Sequence, residues 1–408
     1  KAAPPEVPTL SLMLLDDDTF MHDLVNSMLE ELGYAEAACY ETGESALAAY
    51  DAAQLRPDAI LLDINMPFMD GIQFVEQLKW RSFSGSLILL SGEDDMTLRA
   101  TEKLAQELNL AVAGSIRKPP SLHRLGQLLR DCGKKSVPDK PKAVSKTYNA
   151  VALRAAIANG ELVNYYQPKV ALPGGEWIGV ETLVRWNHPL DGLVLPDQFI
   201  PMAEASGMIG DVTRVVLQAA VRQAHLWREA GLDLRVAINV SVDDLSDMAF
   251  ANFVIDQVAA NELPPHSITL EITEGKLMQN FAMALQVLAR LRLKRFRLSI
   301  DDFGTGNSSL AQLRDLPFDE LKIDRSFTHN ARNDERLKAI FSASLEMAKQ
   351  LRMEVVAEGV EDEHDWNFLL TNDTGVAQGY FVSRPLPAEE LEDWHKQWQQ
   401  AAALRNRS

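Results

Sequence analysis

Cysteine is nearly absent. Cys39 and Cys132 stand in separate contexts among 408 residues, which excludes a disulfide framework, allows at most one bridge, and leaves two reduced structural thiols as the expectation. The eight histidines are scattered without metal-ligand spacing, and His188 in Trp186-Asn-His188-Pro189 reads as loop packing. No run of eighteen apolar residues and no signal peptide occurs, so a membrane span is excluded and a cytoplasmic protein is expected. Positive charge is short: 40 Lys and Arg face 58 Asp and Glu, a net charge of −18. That excludes non-specific binding to a nucleic-acid polymer, which needs clustered Lys and Arg on phosphates. Low-complexity tracts are missing too. Apolar periodicity stops only in Gly133-Lys-Lys-Ser-Val-Pro138-Asp-Lys-Pro141-Lys142, read as an extended solvated linker, and in a disordered lead over residues 1–8. The length then fits one small and one large unit, each with its own core.

What is present is carboxylate at the ends of apolar runs. Leu298-Ser-Ile-Asp301-Asp302-Phe-Gly304-Thr-Gly306 closes a short apolar run with two adjacent acids and a glycine-punctuated turn. Such a run reads as a buried strand, and Gly-x-Gly as the loop leaving it. Successive strand side chains point to opposite faces, so adjacent acids cannot both face a packed core. At a strand end both reach an open pocket, where hard oxygen ligands suit a divalent cation. The pattern recurs. Trp177-Ile-Gly-Val180 leads into Glu181, Leu234-Arg-Val-Ala-Ile238 into Asn239, Ile268-Thr-Leu270 into Glu271, and Val355-Val-Ala357 into Glu358; Leu321 precedes Lys322, and Gln378 opens Gln-Gly-Tyr380. Helix-like stretches such as 213–230 and 281–293 lie between them. The alternation implies a parallel sheet with crossover connections. About eight strand candidates, including Leu162 to Val170, imply a closed (β/α)8-like barrel whose strand ends converge on one mouth. Carboxylates brought that close repel and are costly to desolvate, and bound metal is the simplest way to keep them ionised.

Glu181-Thr-Leu183-Val-Arg185-Trp186 resembles the signature segment of EAL-domain cyclic-di-GMP phosphodiesterases. The likeness continues through Tyr165-Tyr-Gln167-Pro168, Ile238-Asn239-Val-Ser241, Glu271-Ile-Thr-Glu274 and the Asp301-Asp302 stretch. It then runs through Leu321-Lys322-Ile-Asp324, Ala357-Glu358-Gly-Val-Glu361 and Gln378-Gly-Tyr380-Phe-Val-Ser-Arg-Pro385, over residues 148–403. Thr182 replaces the Ala of the name motif, and Asn307 stands where the family usually has Tyr. The resemblance implies hydrolysis of cyclic di-GMP to linear pGpG with two Mg²⁺ or Mn²⁺ ions. In that scheme Glu181, Asn239, Glu271 and Asp301 hold one cation, and Asp301 and Asp302 hold the other, with Glu358 on it directly or through a water. Lys322 orients the water or neutralises transition-state charge, and Glu358 is the candidate general base. Gln167, Leu183, Arg185, Asp324 and Gln378 contact substrate or water, and Glu274 anchors the loop after the acid pair. Guanine is named by the resemblance alone. The rival expectation is a cyclic-di-GMP sensor or scaffold without turnover.

The first third carries a second constellation. Leu12-Met-Leu-Leu15 ends in Asp16-Asp17-Asp18, Ala59-Ile-Leu-Leu62 in Asp63, Leu87-Ile-Leu-Leu90 in Ser91, and Ser115-Ile-Arg117 leads to Lys118-Pro119. Open α/β sheets bind ligands at the carboxyl ends of their strands. Asp16, Asp17 and Asp63 around one Mg²⁺ or Mn²⁺ would shield a phosphoryl group accepted by Asp63, with Ser91 and Lys118 touching its oxygens. The pattern over residues 9–131 resembles a response-regulator receiver domain with a doubly wound, flavodoxin-like sheet. It implies phosphorylation of Asp63 by a cognate histidine kinase or phosphotransfer protein, control of the barrel, and a homo-oligomer. Ser115 stands where the family usually has Tyr or Phe, and Pro120 replaces an aromatic, so the signal cannot leave by the usual aromatic switch. The expected order is receiver 9–131, linker 132–147 and EAL barrel 148–403, α/β throughout.

Overall fold

In the N-terminal unit five strands, β1 (Leu12–Leu15), β2 (Ala38–Tyr40), β3 (Ala59–Asp63), β4 (Ser86–Ser91) and β5 (Ala111–Arg117), pair in parallel in the order β2-β1-β3-β4-β5. Strand alternation splits the apolar runs between two cores. Leu12, Leu14, Leu61 and Leu90 meet helices Thr19–Glu31 and Leu122–Gly133; Met13, Leu15, Ile60 and Leu62 meet helices Gly43–Ala52, Gly71–Trp80 and Asp95–Glu107. Both faces are covered, which is why these strands read as unbroken apolar runs. This is the doubly wound, flavodoxin-like sheet expected from sequence. Asp18 leaves the acid cluster and caps the first helix, accepting from Phe20 N.

The computed structural model describes residues 10–52, 56–92, 95–133, 148–273, 281–304 and 316–405, in two units, Lys1–Ser145 and Lys146–Ser408. The lead, most of the linker, Glu274, Gly306 and Asn307 lie outside the described residues. Among the described residues no helix is long and apolar enough to cross a membrane. Cys39 and Cys132 are free thiols.

The C-terminal unit contributes β6 (Leu162–Ala171), β7 (Trp177–His188), β8 (Gly192–Val194), β9 (Arg235–Val240), β10 (Ile268–Thr273), β11 (Arg297–Phe303), β12 (Glu320–Ile323), β13 (Glu354–Ala357) and β14 (Val376–Ala377). Eight of them close a barrel in the order β6-β14-β13-β12-β11-β10-β9-β7, with β7 pairing back onto β6; β8 is a hairpin arm on β7. The sheet is not wholly parallel as expected, because β6 runs antiparallel to both its neighbours. Only residues 172–176 join β6 to β7, too few for a crossover, which needs a dozen or more.

Barrel strands also alternate. Val236, Ile238, Leu270, Ile272, Leu298, Ile300, Leu321 and Ile323 join one apolar shell with the surrounding helices, including Leu217, Val221, Val254, Val287 and Phe341. Many of their sequence neighbours face the lumen and are polar or charged. Lys169 of β6 reaches Glu271 of β10 (2.6 Å) and Glu320 of β12 (3.4 Å), strands that are not adjacent. At the amino-terminal ends of the strands, Arg235 and Arg297 both pair with Glu354. The hydrophobic core is therefore a ring between strands and helices, and the barrel axis is ionic.

Candidate functional site

The receiver strands deliver their polar residues to one edge. Lys118 Nζ lies 2.7 Å from both Asp16 Oδ2 and Asp63 Oδ2. Asp16, Asp17 and Asp63 place one carboxylate oxygen each within 4.8 Å of one another. Burial raises the Asp63 carboxyl above its usual range even though Lys118 pulls the other way. Burial opposes the Lys118 ammonium as well, but Asp16 and Asp63 outweigh it and its pKa rises. Ser91 is buried at the end of β4, and its carbonyl accepts from Lys118 N at 2.9 Å. Ser115 is partly buried on β5, in register with Leu89.

At the barrel mouth, Lys322 of β12 is 1 % exposed and its ammonium is ringed by acids: Glu358 Oε1 at 2.8 Å, Glu271 Oε2 at 2.9 Å, Asp301 Oδ1 at 3.0 Å and Glu181 Oε2 at 3.5 Å. Asn239 Nδ2 donates to Glu181 Oε1 (2.9 Å). Gln378 Nε2 donates to Glu181 Oε2 (2.5 Å) and Gln167 Oε1 (3.0 Å), while Gln167 Nε2 donates to Ser383 O (2.9 Å). Gln378 Oε1 is buried without a hydrogen-bond partner among the described residues.

The carboxylates form two groups whose oxygens lie within 4.8 Å: Glu181, Glu271 and Asp301, then Asp301, Asp302 and Glu358. Asp301 belongs to both. Asp302 takes a left-handed φ of 55°, and the β11–β12 register shifts between Ile300 and Phe303. A left-handed non-glycine residue costs about 1–2 kcal/mol. This twist is how two adjacent acids both come to one mouth, which regular strand alternation forbids. Glu181 and Glu271 correct the expectation that acids sit where strands end. Both lie inside their strands, and β7 runs on to His188 because β6 and β8 continue to pair with it.

More carboxylate is buried here than ammonium neutralises. Burial lifts Glu271 to about 7 against the pull of Lys169 and Lys322, and lifts Glu358 to about 8 against Lys322. Asp302 rises to about 6 through burial and then the neighbouring Asp301. Burial also opposes the charge on Glu181, but Lys322, Lys169, Gln378 and Asn239 overcome it and bring the group to about 2. Burial would discharge Lys322, yet its four acidic neighbours drive its pKa well up. Hard oxygen donors in surplus over cations are a set that could hold divalent metal.

A cavity of about 200 Å³ opens beside the cluster, lined by Gln167, Glu181, Leu183, Glu358 and Gln378, with Arg325, Gly359, Glu361 and Tyr380. Two expected substrate contacts are not in its lining. Asp324 caps the short helix Arg325–Thr328, accepting from Ser326 N (2.9 Å) and Ser326 Oγ (2.5 Å). Arg185 is buried over the Tyr165 ring at 5.6 Å and donates to Val184 O. Lys169, Arg325 and Glu361 carry charge at or beside the site and were given no role from sequence. Gly359 has φ 67°, and a Cβ there would collide with Arg325 Cγ, so only glycine lets the Arg325 stem cross this turn.

The receiver model, described as the response regulator receiver domain, matches residues 12–130, and the EAL domain model matches residues 150–385. The chain is 32 % identical over 390 residues to the cyclic di-GMP phosphodiesterase RocR of Pseudomonas aeruginosa, covering 94 % of this chain and 98 % of that one. It is 41 % identical over 240 residues to the bifunctional diguanylate cyclase/cyclic di-GMP phosphodiesterase MucR of the same organism, covering 59 % of this chain but 35 % of MucR. Among solved structures, the PaMucR phosphodiesterase in complex with c-di-GMP matches 59 % of this chain and 97 % of its own, with 41 % identity and a TM-score of 0.56. The EAL enzyme Bd1971, bound to cAMP and cyclic di-GMP, matches 67 % of this chain and 73 % of its own at 31 % identity, with a TM-score of 0.57. The chain belongs to the EAL-domain family, and carries a response regulator receiver domain ahead of its barrel.

Proposed function

We propose that the barrel hydrolyses cyclic di-GMP to linear pGpG and that the receiver controls it through Asp63. The observation that carries this reading is the convergence of four carboxylates on one buried ammonium, with Asp302 beside them and Asp301 common to both groups. The likeness to RocR over nearly its whole length supports it. Glu181, Asn239, Glu271 and Asp301 would hold one divalent cation, and Asp301, Asp302 and Glu358 the other, as Mg²⁺ or Mn²⁺. Two cations so held supply water activation and charge neutralisation at the attacking and leaving oxygens.

The chain's own residues do the rest. Lys322 sits under the acids and opposes the negative charge that builds on the phosphoryl oxygens. Glu358 ties one oxygen to Lys322 and, with bound cations holding it ionised against burial, would offer the other as acceptor for the attacking water's proton. Gln167, Gln378 and Leu183 line the substrate cavity, together with Arg325 and Glu361. Arg185 and Asp324 lie outside that lining. The deciding assay follows Mg²⁺- or Mn²⁺-dependent conversion of cyclic di-GMP to pGpG by the purified chain. Binding without turnover would make the barrel a sensor. Lys322→Ala lowers turnover by roughly 10²–10³, with divalent cation content, read by metal analysis, unchanged; loss of metal together with a collapsed melting curve would give Lys322 a structural role instead.

In the receiver, Asp16, Asp17 and Asp63 would hold one Mg²⁺ or Mn²⁺. Asp63 accepts the phosphoryl group from a histidine kinase or phosphotransfer protein, and Ser91 and Lys118 meet its oxygens. The added charge, roughly 1.5–2 negative units, exceeds what Lys118 now balances, so Ser91 and Lys118 readjust. A small-molecule phosphodonor labels wild type and not Asp63→Asn, and phosphodiesterase activity responds to donor only in wild type. Equal activity of both proteins with and without donor, across protein concentrations, would remove the receiver from control. On this reading the protein is a cytoplasmic homo-oligomer.

A further inference from the structure

Arg325 and Glu361 share one wall of the cavity, Arg325 Nη2 lying 2.5 Å from Glu361 Oε1. They come from different connections: Arg325 from the helix after β12, Glu361 from the turn after β13. The imidazole of His329 stands behind them between two carboxylates, with Nδ1 2.8 Å from Asp365 Oδ2 and Nε2 3.7 Å from Glu361 Oε2. Asp365 is 2 % exposed, and its carboxylate also accepts the backbone N–H groups of Asn330 (3.2 Å) and Glu361 (3.1 Å). A carboxylate is acceptor-only, so the ring donates from Nδ1. Charge-assisted bonds to a buried acid are stronger than neutral ones. One carboxylate thus fastens the two connections to each other, and the imidazole it holds stands against the Glu361 carboxylate at 3.7 Å, where it limits the room that side chain has to move. Among the described residues, no ion pair joins His329 or Asp365 to the acids of the metal-site groups.

We propose that His329 and Asp365 are positioning residues that fix Glu361 and Arg325 on the cavity wall and so set affinity for the cyclic dinucleotide, without entering the hydrolytic step. This rests on the reading of the barrel as a cyclic di-GMP phosphodiesterase. An anionic acceptor beside a guanidinium donor presents a polar pair to a ligand's hydrogen-bonding edge, and its value depends on being held in place.

The test uses the full chain. His329→Ala raises KM for cyclic di-GMP about tenfold and leaves kcat within about twofold, since uniform binding and not transition-state contact is lost. His329→Asn keeps a donor for Asp365 and loses the reach to Glu361; it melts as wild type and raises KM about fivefold. In a Glu361→Gln background His329→Asn adds less than about twofold, because the two act through one contact. Divalent cation titration is unchanged in all of them. A fall in kcat at constant KM, an unchanged KM in His329→Asn, or independent effects in the double variant would overturn the inference. Absence of turnover in wild type would sink the hydrolytic reading alone, and the Kd of the same variants for cyclic di-GMP in Ca²⁺ would then decide the positioning role in the same way.

Discussion

Asp301→Ala removes hydrolysis of cyclic di-GMP, leaving less than about one part in 10⁴ of wild-type turnover, a loss beyond the roughly 10²–10⁴ of a single acid–base group. Three functions go with one side chain. Its oxygens belong to both carboxylate groups. It is a partner of Lys322 at 3.0 Å. Its Oδ1 also accepts Asp302 N at 2.9 Å and so braces the left-handed backbone that brings Asp302 to the mouth. Binding of cyclic di-GMP in Ca²⁺ persists, because the cavity lining does not include Asp301. The measurement is turnover in Mg²⁺ and in Mn²⁺ alongside equilibrium binding. Near-wild-type turnover would remove Asp301 from its shared position.

The second large effect is on stability. Lys169 is 5 % exposed and lies against Glu271 and Glu320, themselves 1 % and 3 % exposed. Its ammonium is held charged, with a raised pKa, despite burial, by those two acids. Lys169→Met fills the space but leaves both carboxylates in the lumen short of a counterion. Breaking a buried pair from one side costs about 3–5 kcal/mol. Urea unfolding of the barrel transition should show that loss as an earlier midpoint at unchanged slope. Adding Glu320→Gln should restore part of it, since the stranded charge is what destabilises. A single-variant loss under about 1 kcal/mol would mean that water reaches the lumen and screens it.

Much of the architecture was legible because both sheets obey simple rules. Receiver strands such as Ala59-Ile-Leu-Leu62 are covered on both faces, and their polar terminators gather at one edge. In the barrel, polar residues in the expected strands did bring Glu181, Asn239, Glu271, Asp301, Asp302, Lys322 and Glu358 to one mouth, though Glu181 and Glu271 come from inside their strands and Asp302 by its left-handed turn. What was missed has physical causes. A charged residue inside a strand reads as a solvent face, so Lys169 in Gln-Pro-Lys169-Val and Glu320 before Leu321 gave no hint of an ionic lumen. The antiparallel β6 was legible in principle, since the stretch between Ala171 and Trp177 leaves no room for a helix. Asp324-Arg-Ser326 could have been read as a helix cap, which is where its carboxylate is spent. The left-handed turn at Asp302 left no mark, because aspartate tolerates it without glycine's signature. His329 and Asp365 lie 36 residues apart, and no spacing rule connects them.

The twist at Asp302 has a consequence for how such a barrel can change over generations. The carboxylate common to both groups and the carboxylate unique to one are consecutive residues, joined through a single left-handed torsion. On the proposed assignment, a change at either position disturbs the seats of both ions. Hydrolysis at this mouth is then kept whole or lost whole. Graded variation in a lineage must come from outside that strand, in the wall built by Arg325 and Glu361, where affinity can drift while the chemistry stays intact.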